Sequence, residues 1–470
     1  MNRNRIEISS DKIEKQRRLA ESIGEKLRSD GKRHKAAIRT FGCQQNEADS
    51  EMLRGYSELM GYTLTEDETE ADLILINTCA IRENAELRVF GYLGSLTHAK
   101  KRNPELIIAL CGCMARQKHV AEKVKKSYRH VNIIFGPQEI WRFPELYMMA
   151  AEKPEETVCA LDGVDAVAEK LPRVRREGVK AFLPIMYGCN NYCTYCVVPY
   201  LRGPERSRRP EMIMSEAVRL LEDGVKDITL LGQNVNSYGR GLEKEKSFAE
   251  LIRDIDALPG EFWLRFMTSH PRDAGEELFK TMAECSHCAK QLHLPVQSGS
   301  NRVLKTMNRH YTREEYIEKV KLARAYMPEL VLTTDIIVGF PGETEEEFEE
   351  TLRLIEEIRY DAMFTFIYSP RKNTAAAKME DPFTAEEKHK RFTRLLELQN
   401  QISKEKHEEY IGKEIEVLVD GVEEDGATLS SRSCGGRLAH LEGDKSCVGK
   451  FKKARIDRAS TWALFGSIAD

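Results

Sequence analysis

Along most of this chain, short apolar runs of strand length alternate with stretches of helical periodicity, a pattern that restricts it to a parallel α/β architecture. Ala36 to Phe41, Ala71 to Ile76, Glu105 to Leu110 and Val131 to Phe135 read as buried strands of an open parallel sheet. The alternation restarts at Phe182 to Met186. It runs on through Asp227 to Leu231, Trp263 to Phe266, Gln291 to Leu294, Leu330 to Ile337 and Ala362 to Tyr368. Met214 to Glu222, Arg313 to Ala325 and Glu345 to Ile358 are helices between these runs, and Ala385 to Glu409 closes the series. Six strand–helix units in succession predict a full or partial parallel barrel, with functional loops at the C-terminal ends of its strands. The character then changes to short β-like runs separated by Gly and Asp: Glu414 to Val419, Gly426 to Leu429, Phe451 to Ile456 and Ala463 to Gly466. They predict a small OB-like β-barrel.

The expected organisation is a charged N-terminal extension over 1–34, helical around Lys12 to Leu27, then a sheet domain over 35–150. A connection without steady period covers 151–179, the barrel 180–405 and the small β domain 408–470. A length of 470 residues fits about three domains at roughly 150 each. The net charge of −4 excludes a simple polybasic nucleic-acid binder, so any RNA affinity must come from locally segregated charge. No run reaches about 18 apolar residues, and Met1 to Ala20 lacks the apolar centre of a signal peptide. The expectation is a cytoplasmic protein without membrane contact, in which twelve cysteines read as metal ligands or reactive thiols rather than disulfides.

Cys189, Cys193 and Cys196 form a C-x3-C-x2-C run just after the first barrel strand. Three thiolates on one short loop hold three corners of a 4Fe-4S cube and leave one iron open. A structural zinc site would need a fourth ligand, and none is near in sequence. Cys43, Cys79 and Cys113 are scattered, yet each lies just past the end of one of the first three strands. Those ends face one crevice in an open parallel sheet, so the trio predicts a second cluster with its own open iron. Cys111, Cys159, Cys285, Cys288, Cys434 and Cys447 read as packing residues.

The first run, at the top of a βα barrel, resembles the radical S-adenosylmethionine (SAM) superfamily. Thr40-Phe-Gly-Cys43-Gln-Gln-Asn46, Asn77-Thr-Cys79-Ala-Ile-Arg-Glu and Gly112-Cys113-Met-Ala115 resemble the N-terminal signature of the methylthiotransferases within it. Cys193-Thr-Tyr-Cys196-Val-Val-Pro199-Tyr-Leu-Arg202-Gly203-Pro-Glu205-Arg-Ser207-Arg208 resembles their radical SAM segment, and the likeness covers roughly residues 35 to 470. The resemblance implies two 4Fe-4S clusters on the two trios, a C-terminal TRAM domain, and SAM used both as methyl donor and as radical source. It also implies sulfur insertion at an adenine C–H. The wording is nearest the branch acting on N6-isopentenyladenosine beside the tRNA anticodon; the other branches act on threonylcarbamoyladenosine in tRNA or on an aspartate of a ribosomal protein. A non-catalytic iron–sulfur RNA-binding protein is the competing class.

Loops at later strand ends are expected to hold SAM. The resemblance implies Gly232, Gln233 and Asn234 at the methionine amine and Ile337 and Gly339 near adenine; Gln297 and Ser298 offer polar groups, and Tyr195 stands between two ligands. Arg202, Arg206 and Arg208, and Lys450, Lys452 and Lys453, are the expected RNA contacts. The implied partners are a tRNA anticodon stem-loop and a flavodoxin- or ferredoxin-type electron donor, and the expected state is a monomer.

Overall fold

The computed structural model describes residues 7–469 apart from 81, 82 and 177, so Ile81 and Arg82 of the Cys79 motif lie outside the described residues. The first domain is a parallel sheet of β1 (Lys35–Phe41), β2 (Thr63–Leu64), β3 (Leu73–Thr78), β4 (Ile107–Gly112), β5 (Ile133–Phe135) and β6 (Val158–Ala160). Its strand order is β2-β1-β3-β4-β5-β6. β3 and β4 are buried at every position, as strands covered on both faces must be. One face carries Ile38, Leu73, Leu75 and Ala109 into a core with Leu53 and Tyr56; the other packs Ile74, Ile76, Ile108 and Leu110 against Val89, Leu93 and Val124.

Two strands here were not legible in the pattern. β2 has two residues, and β6 lies inside the stretch expected to be an irregular connection. Both sit at sheet edges and are only half-buried, so neither needs the continuous apolar run that marks a central strand. The N-terminal helix Ser10–Ser29 is likewise no detached extension. It buries Ile13, Ala20 and Ile23, and Gln16 exchanges hydrogen bonds with Glu145 on the helix Phe143–Glu152.

The barrel begins with β7 (Lys180–Pro184), followed by the short pair β8 (Met186–Tyr187) and β9 (Arg206–Ser207). It continues with β10 (Asp227–Leu231), β11 (Trp263–Phe266), β12 (Gln291–His293), β13 (Val331–Val338) and β14 (Ala362–Ile367). The strands pair in parallel as β11-β10-β7 and β12-β13-β14, and a bridge between Leu264 and Cys288 spans the gap. The result is an open six-stranded parallel barrel in chain order. The helices Arg313–Tyr326, Glu345–Ile358 and Ala385–Glu408 each start with a capping box, which explains why their boundaries were readable.

The C-terminal residues form a closed barrel of β15 (Glu414–Val422), β16 (Thr428–Ser433), β17 (Leu438–Glu442), β18 (Phe451–Ala459) and β19 (Leu464–Ile468). β17 is the strand that the sequence pattern did not reveal. This small barrel docks at the N-terminal ends of the large barrel's strands. Arg265 of β11 donates to the carbonyls of Ser433 and Cys434 at 3.0 and 2.6 Å, Arg437 pairs with Asp361 just before β14, and Phe451 packs on Trp263. The C-x3-C-x2-C loop follows the opposite ends. No helix among the described residues is long and apolar enough to cross a membrane.

Candidate functional site

In a parallel sheet ordered β2-β1-β3-β4-β5, the strand order reverses between β1 and β3, and ligands collect in the crevice beyond that switch point. Cys43 follows β1, Cys79 follows β3 and Cys113 follows β4. Backbone bonds keep the three in register: Cys79 N–H donates to Phe41 O (2.9 Å) and Cys113 N–H to Thr78 O (2.8 Å). A buried asparagine clasp ties the first two strand ends together. Asn46 Nδ2 donates to Asn77 Oδ1 (2.9 Å), and Asn77 Nδ2 donates to Asn46 O (2.8 Å) and Ser50 Oγ (3.0 Å). Gly112 has φ +93°, and a Cβ there would lie 2.4 Å from Asn77 Oδ1. That turn sends Cys113 to the crevice, while Cys111 stays in the core with its thiol pushed up by burial.

The other trio hangs on a single loop held from three sides. Cys189 N–H donates to Gly203 O, Thr194 N–H to Met307 O, and Asn308 Nδ2 to the carbonyls of Asn191 and Tyr192. Gly188, at φ +80°, packs so tightly on Pro204 that a Cβ would lie 2.0 Å from its carbonyl oxygen. Gln233 spans the two domains: its Oε1 accepts from Gly188 N–H, and its Nε2 faces Gln45 Oε1 at 3.4 Å.

Both trios line one cavity of about 300 Å³. A buried guanidinium stands beside each: Arg202 Nε lies 3.2 Å from Cys113 Sγ, and Arg309 Nη1 lies 3.4 Å from Cys193 Sγ. The thiols differ electrostatically. The hydrogen bond with Cys79, helped by Arg202 and by backbone N–H groups, holds Cys43 down at about 6 against its burial. Burial pushes Cys189 up to about 11 and Cys196 up to about 12. The twelve cysteines are all free, none in a disulfide.

Tyr195, Gly232, Gln233 and Gln297 line this cavity with the six cysteines. Ile337 lines an adjoining cleft of about 700 Å³, shared with Tyr195 and Gln297 and walled by Phe366 and Tyr368. Asn234, Ser298 and Gly339 are not among the lining residues of either. Asn234 is buried against Asp273, Ser298 bonds back to Ser300 N–H, and Gly339 N–H is held by Glu343. Ser269, His270, Asn191 and Arg309 line the cavity without having been singled out in the sequence. Asn191 Oδ1, Ser269 Oγ and His270 Nε2 are buried there without a hydrogen-bond partner, polar groups that a bound ligand would satisfy. Burial, and then Arg309, hold the His270 imidazole down at about 2, so it is neutral.

The expectation that Arg202, Arg206 and Arg208 face RNA is corrected by their burial. Arg202 pairs with Asp49 at 2.7 Å, Arg206 donates to the carbonyls of Pro204 and Arg202, and Arg208 is clamped between Glu169 and Glu216. Guanidiniums spent on internal partners are not offered to phosphate. Lys450 and Lys453 are exposed at the small barrel and Lys452 is half-buried. A groove of about 460 Å³ opens beside the cavity, lined by Lys118, His119, Tyr200 and Lys372 together with Glu122 and Asp162. Tyr200 and Tyr192, 52% and 47% exposed, meet edge to face at its rim.

Family models match three segments: the radical SAM superfamily over residues 183–355, the uncharacterised protein family UPF0004 over 35–136, and the TRAM domain over 408–469. Among solved structures, the fold is similar to the radical SAM methyltransferase TsrM from Kitasatospora setae, with TM-score 0.55 and 12% identity over 74% of this chain and 77% of that one. Among curated proteins, the chain is 47% identical to the tRNA-2-methylthio-N(6)-dimethylallyladenosine synthase of Acetivibrio thermocellus, over 99% of this chain and 98% of that protein. It is 49% identical to the Clostridium botulinum protein of the same name, over 91% and 96% of the two chains. With that likeness along the whole length, and both cysteine trios facing one cavity, the chain belongs to the tRNA-2-methylthio-N(6)-dimethylallyladenosine synthase family.

Proposed function

We propose that this chain is a tRNA methylthiotransferase that converts N6-dimethylallyladenosine beside the anticodon to its 2-methylthio derivative. The observation that carries this reading is the convergence of six free cysteines, three from each of two domains, on one cavity. Cys189, Cys193 and Cys196 would hold a 4Fe-4S cluster whose fourth iron binds SAM, and Cys43, Cys79 and Cys113 a second cluster with an open iron. When bound, these groups supply the electron, the 5′-deoxyadenosyl radical, the inserted sulfur and the methyl group.

The chain's own part is to bind, orient and exclude water. Orphaned Asn191 Oδ1, Ser269 Oγ and His270 Nε2 suit the polar end of SAM, and a neutral His270 hydrogen-bonds without adding charge. Ile337, Phe366 and Tyr368 form an apolar cleft suited to its adenine, with Tyr195 bordering both spaces. Ala80, Val197 and Leu201 pack with Cys113 into an apolar wall of the shared cavity. Such a wall protects a carbon radical from side reactions. The substrate adenine must leave the anticodon-loop stack to enter, which single-stranded RNA permits at low cost. Tyr192 and Tyr200 at the rim suit stacking of neighbouring bases, and exposed Lys118 and Lys372 suit their phosphates. Single-electron supply suits a donor of the flavodoxin or ferredoxin type.

The test is anaerobic incubation of the reconstituted protein with SAM, a reductant and tRNA carrying N6-dimethylallyladenosine. Mass spectrometry should find 5′-deoxyadenosine, S-adenosylhomocysteine and the 2-methylthio nucleoside. SAM cleavage without any methylthiolated nucleoside would sink the substrate assignment.

A further inference from the structure

The helix Val198–Arg202 begins two residues after Cys196 and ends on a guanidinium that belongs to the other trio. Arg202 is 6% exposed. Its Nη2 donates to Asp49 Oδ2 at 2.7 Å, and its Nε lies 3.2 Å from Cys113 Sγ; both partners come from the sheet domain. Val197 and Leu201, on the same short segment, pack with Ala80 and Cys113. One stretch of barrel chain thus carries a thiol of the first trio at its start and touches the second trio at its end. A planar fork with two fixed donor directions holds a carboxylate and a sulfur in a set relation, which a lysine's single point charge does not.

We propose that Arg202 is a positioning residue of the second trio, donated across the domain interface. It orients Cys113 and places a permanent positive charge against the sulfur ligands. The inference rests on the reading that Cys43, Cys79 and Cys113 hold an iron–sulfur cluster. Its physical consequence is directional. A hydrogen bond and a positive charge at a ligand sulfur favour the more negative, reduced cluster and so raise its potential. Completion of the second site then also depends on docking of the two domains, since the guanidinium arrives from the barrel.

The experiment uses the full chain with Cys189, Cys193 and Cys196 replaced by Ala, so that only the second trio can bind iron. This parent must first take up about four irons per chain on anaerobic reconstitution; failure to do so would remove the premise rather than the role of Arg202. In that background Arg202→Gln and Arg202→Lys are compared by iron content, by the EPR spectrum of the reduced cluster and by its midpoint potential. The account expects Arg202→Gln to lose iron or to shift the potential negative with an altered EPR spectrum, and Arg202→Lys to fall between it and the parent. A folded Arg202→Gln variant with the parent's iron content, spectrum and potential would overturn the proposal. Should that variant not fold, Asp49→Ala takes its place: it keeps the guanidinium but removes the acceptor that fixes the fork, and an unchanged spectrum and potential there would contradict the proposal equally.

Discussion

The two cysteine trios occupy one cavity but reach it by opposite routes. Cys189, Cys193 and Cys196 lie within eight residues on a loop held by Gly203, Met307 and Asn308. Cys43, Cys79 and Cys113 span seventy-one residues and meet only because β1, β3 and β4 are parallel neighbours. The first trio is a property of local sequence and the second a property of topology. Burial raises Cys189 and Cys196 of the loop and Cys113 of the sheet alike, while Cys43 is held low by Cys79, by Arg202 and by backbone N–H groups. A site assembled from strand ends depends on whatever keeps those ends in register, here the Asn46–Asn77 clasp, and on a guanidinium lent by the other domain.

The contrast has a hierarchy of consequences. The largest effect belongs to the loop. Cys193→Ala leaves two thiols where a cluster needs three, so 5′-deoxyadenosine formation should fall to background and methylthiolated tRNA with it. Normal SAM cleavage by this variant would break the assignment of the loop. Asn77→Ala comes next and acts on one trio alone. It leaves the buried Asn46 amide and the Ser50 hydroxyl short of partners, a loss of about 1–3 kcal/mol concentrated at the β1 and β3 ends. Iron content should drop toward half of the parent's while SAM is still cleaved; equal loss from both trios would show that the two sites are not independent. The smallest effect is on RNA. Lys118→Glu with Lys372→Glu should weaken tRNA binding and reduce the slope of log affinity against log salt by roughly 0.7–0.9 per lost phosphate contact. Lys452→Glu with Lys453→Glu should do less at the cavity, because the small barrel sits at the far ends of the barrel strands. An unchanged slope in the Lys118 and Lys372 pair would move the RNA surface elsewhere.

Legibility in the sequence followed the same division. The six barrel strands stand where the apolar runs lie: most are largely buried, while β14 keeps an apolar run with Phe364 and Phe366 exposed, Phe366 at the cleft. β2, β6 and β17 left none: two are short edge strands, and Leu438–Glu442 mixes Ala and His into an alternation too brief to register. The strand-end cysteines were readable as a set because all three fall one or two residues past the ends of their strands. His270 and Arg309 carry no such offset and enter the cavity from loops beyond β11 and β12. The basic run after Cys196 misled for a definite reason. Charge in sequence says nothing of partners, and the carboxylates that claim Arg202 and Arg208 lie 153, 39 and 8 residues away.

If the two trios have separate tasks in one cavity, Cys113→Ala separates them. A reconstituted Cys113→Ala protein, incubated anaerobically with SAM, reductant and dimethylallyladenosine-bearing tRNA, is assayed by mass spectrometry for 5′-deoxyadenosine and for the 2-methylthio nucleoside together. The sulfur must stand oriented against a short-lived carbon radical, and free sulfide in solution does not match the effective molarity of a fixed neighbour. The account therefore predicts that 5′-deoxyadenosine is still made and that no methylthiolated nucleoside appears. Methylthiolation at a rate near the parent's would contradict it, and would leave the second trio a purely structural part of the sheet.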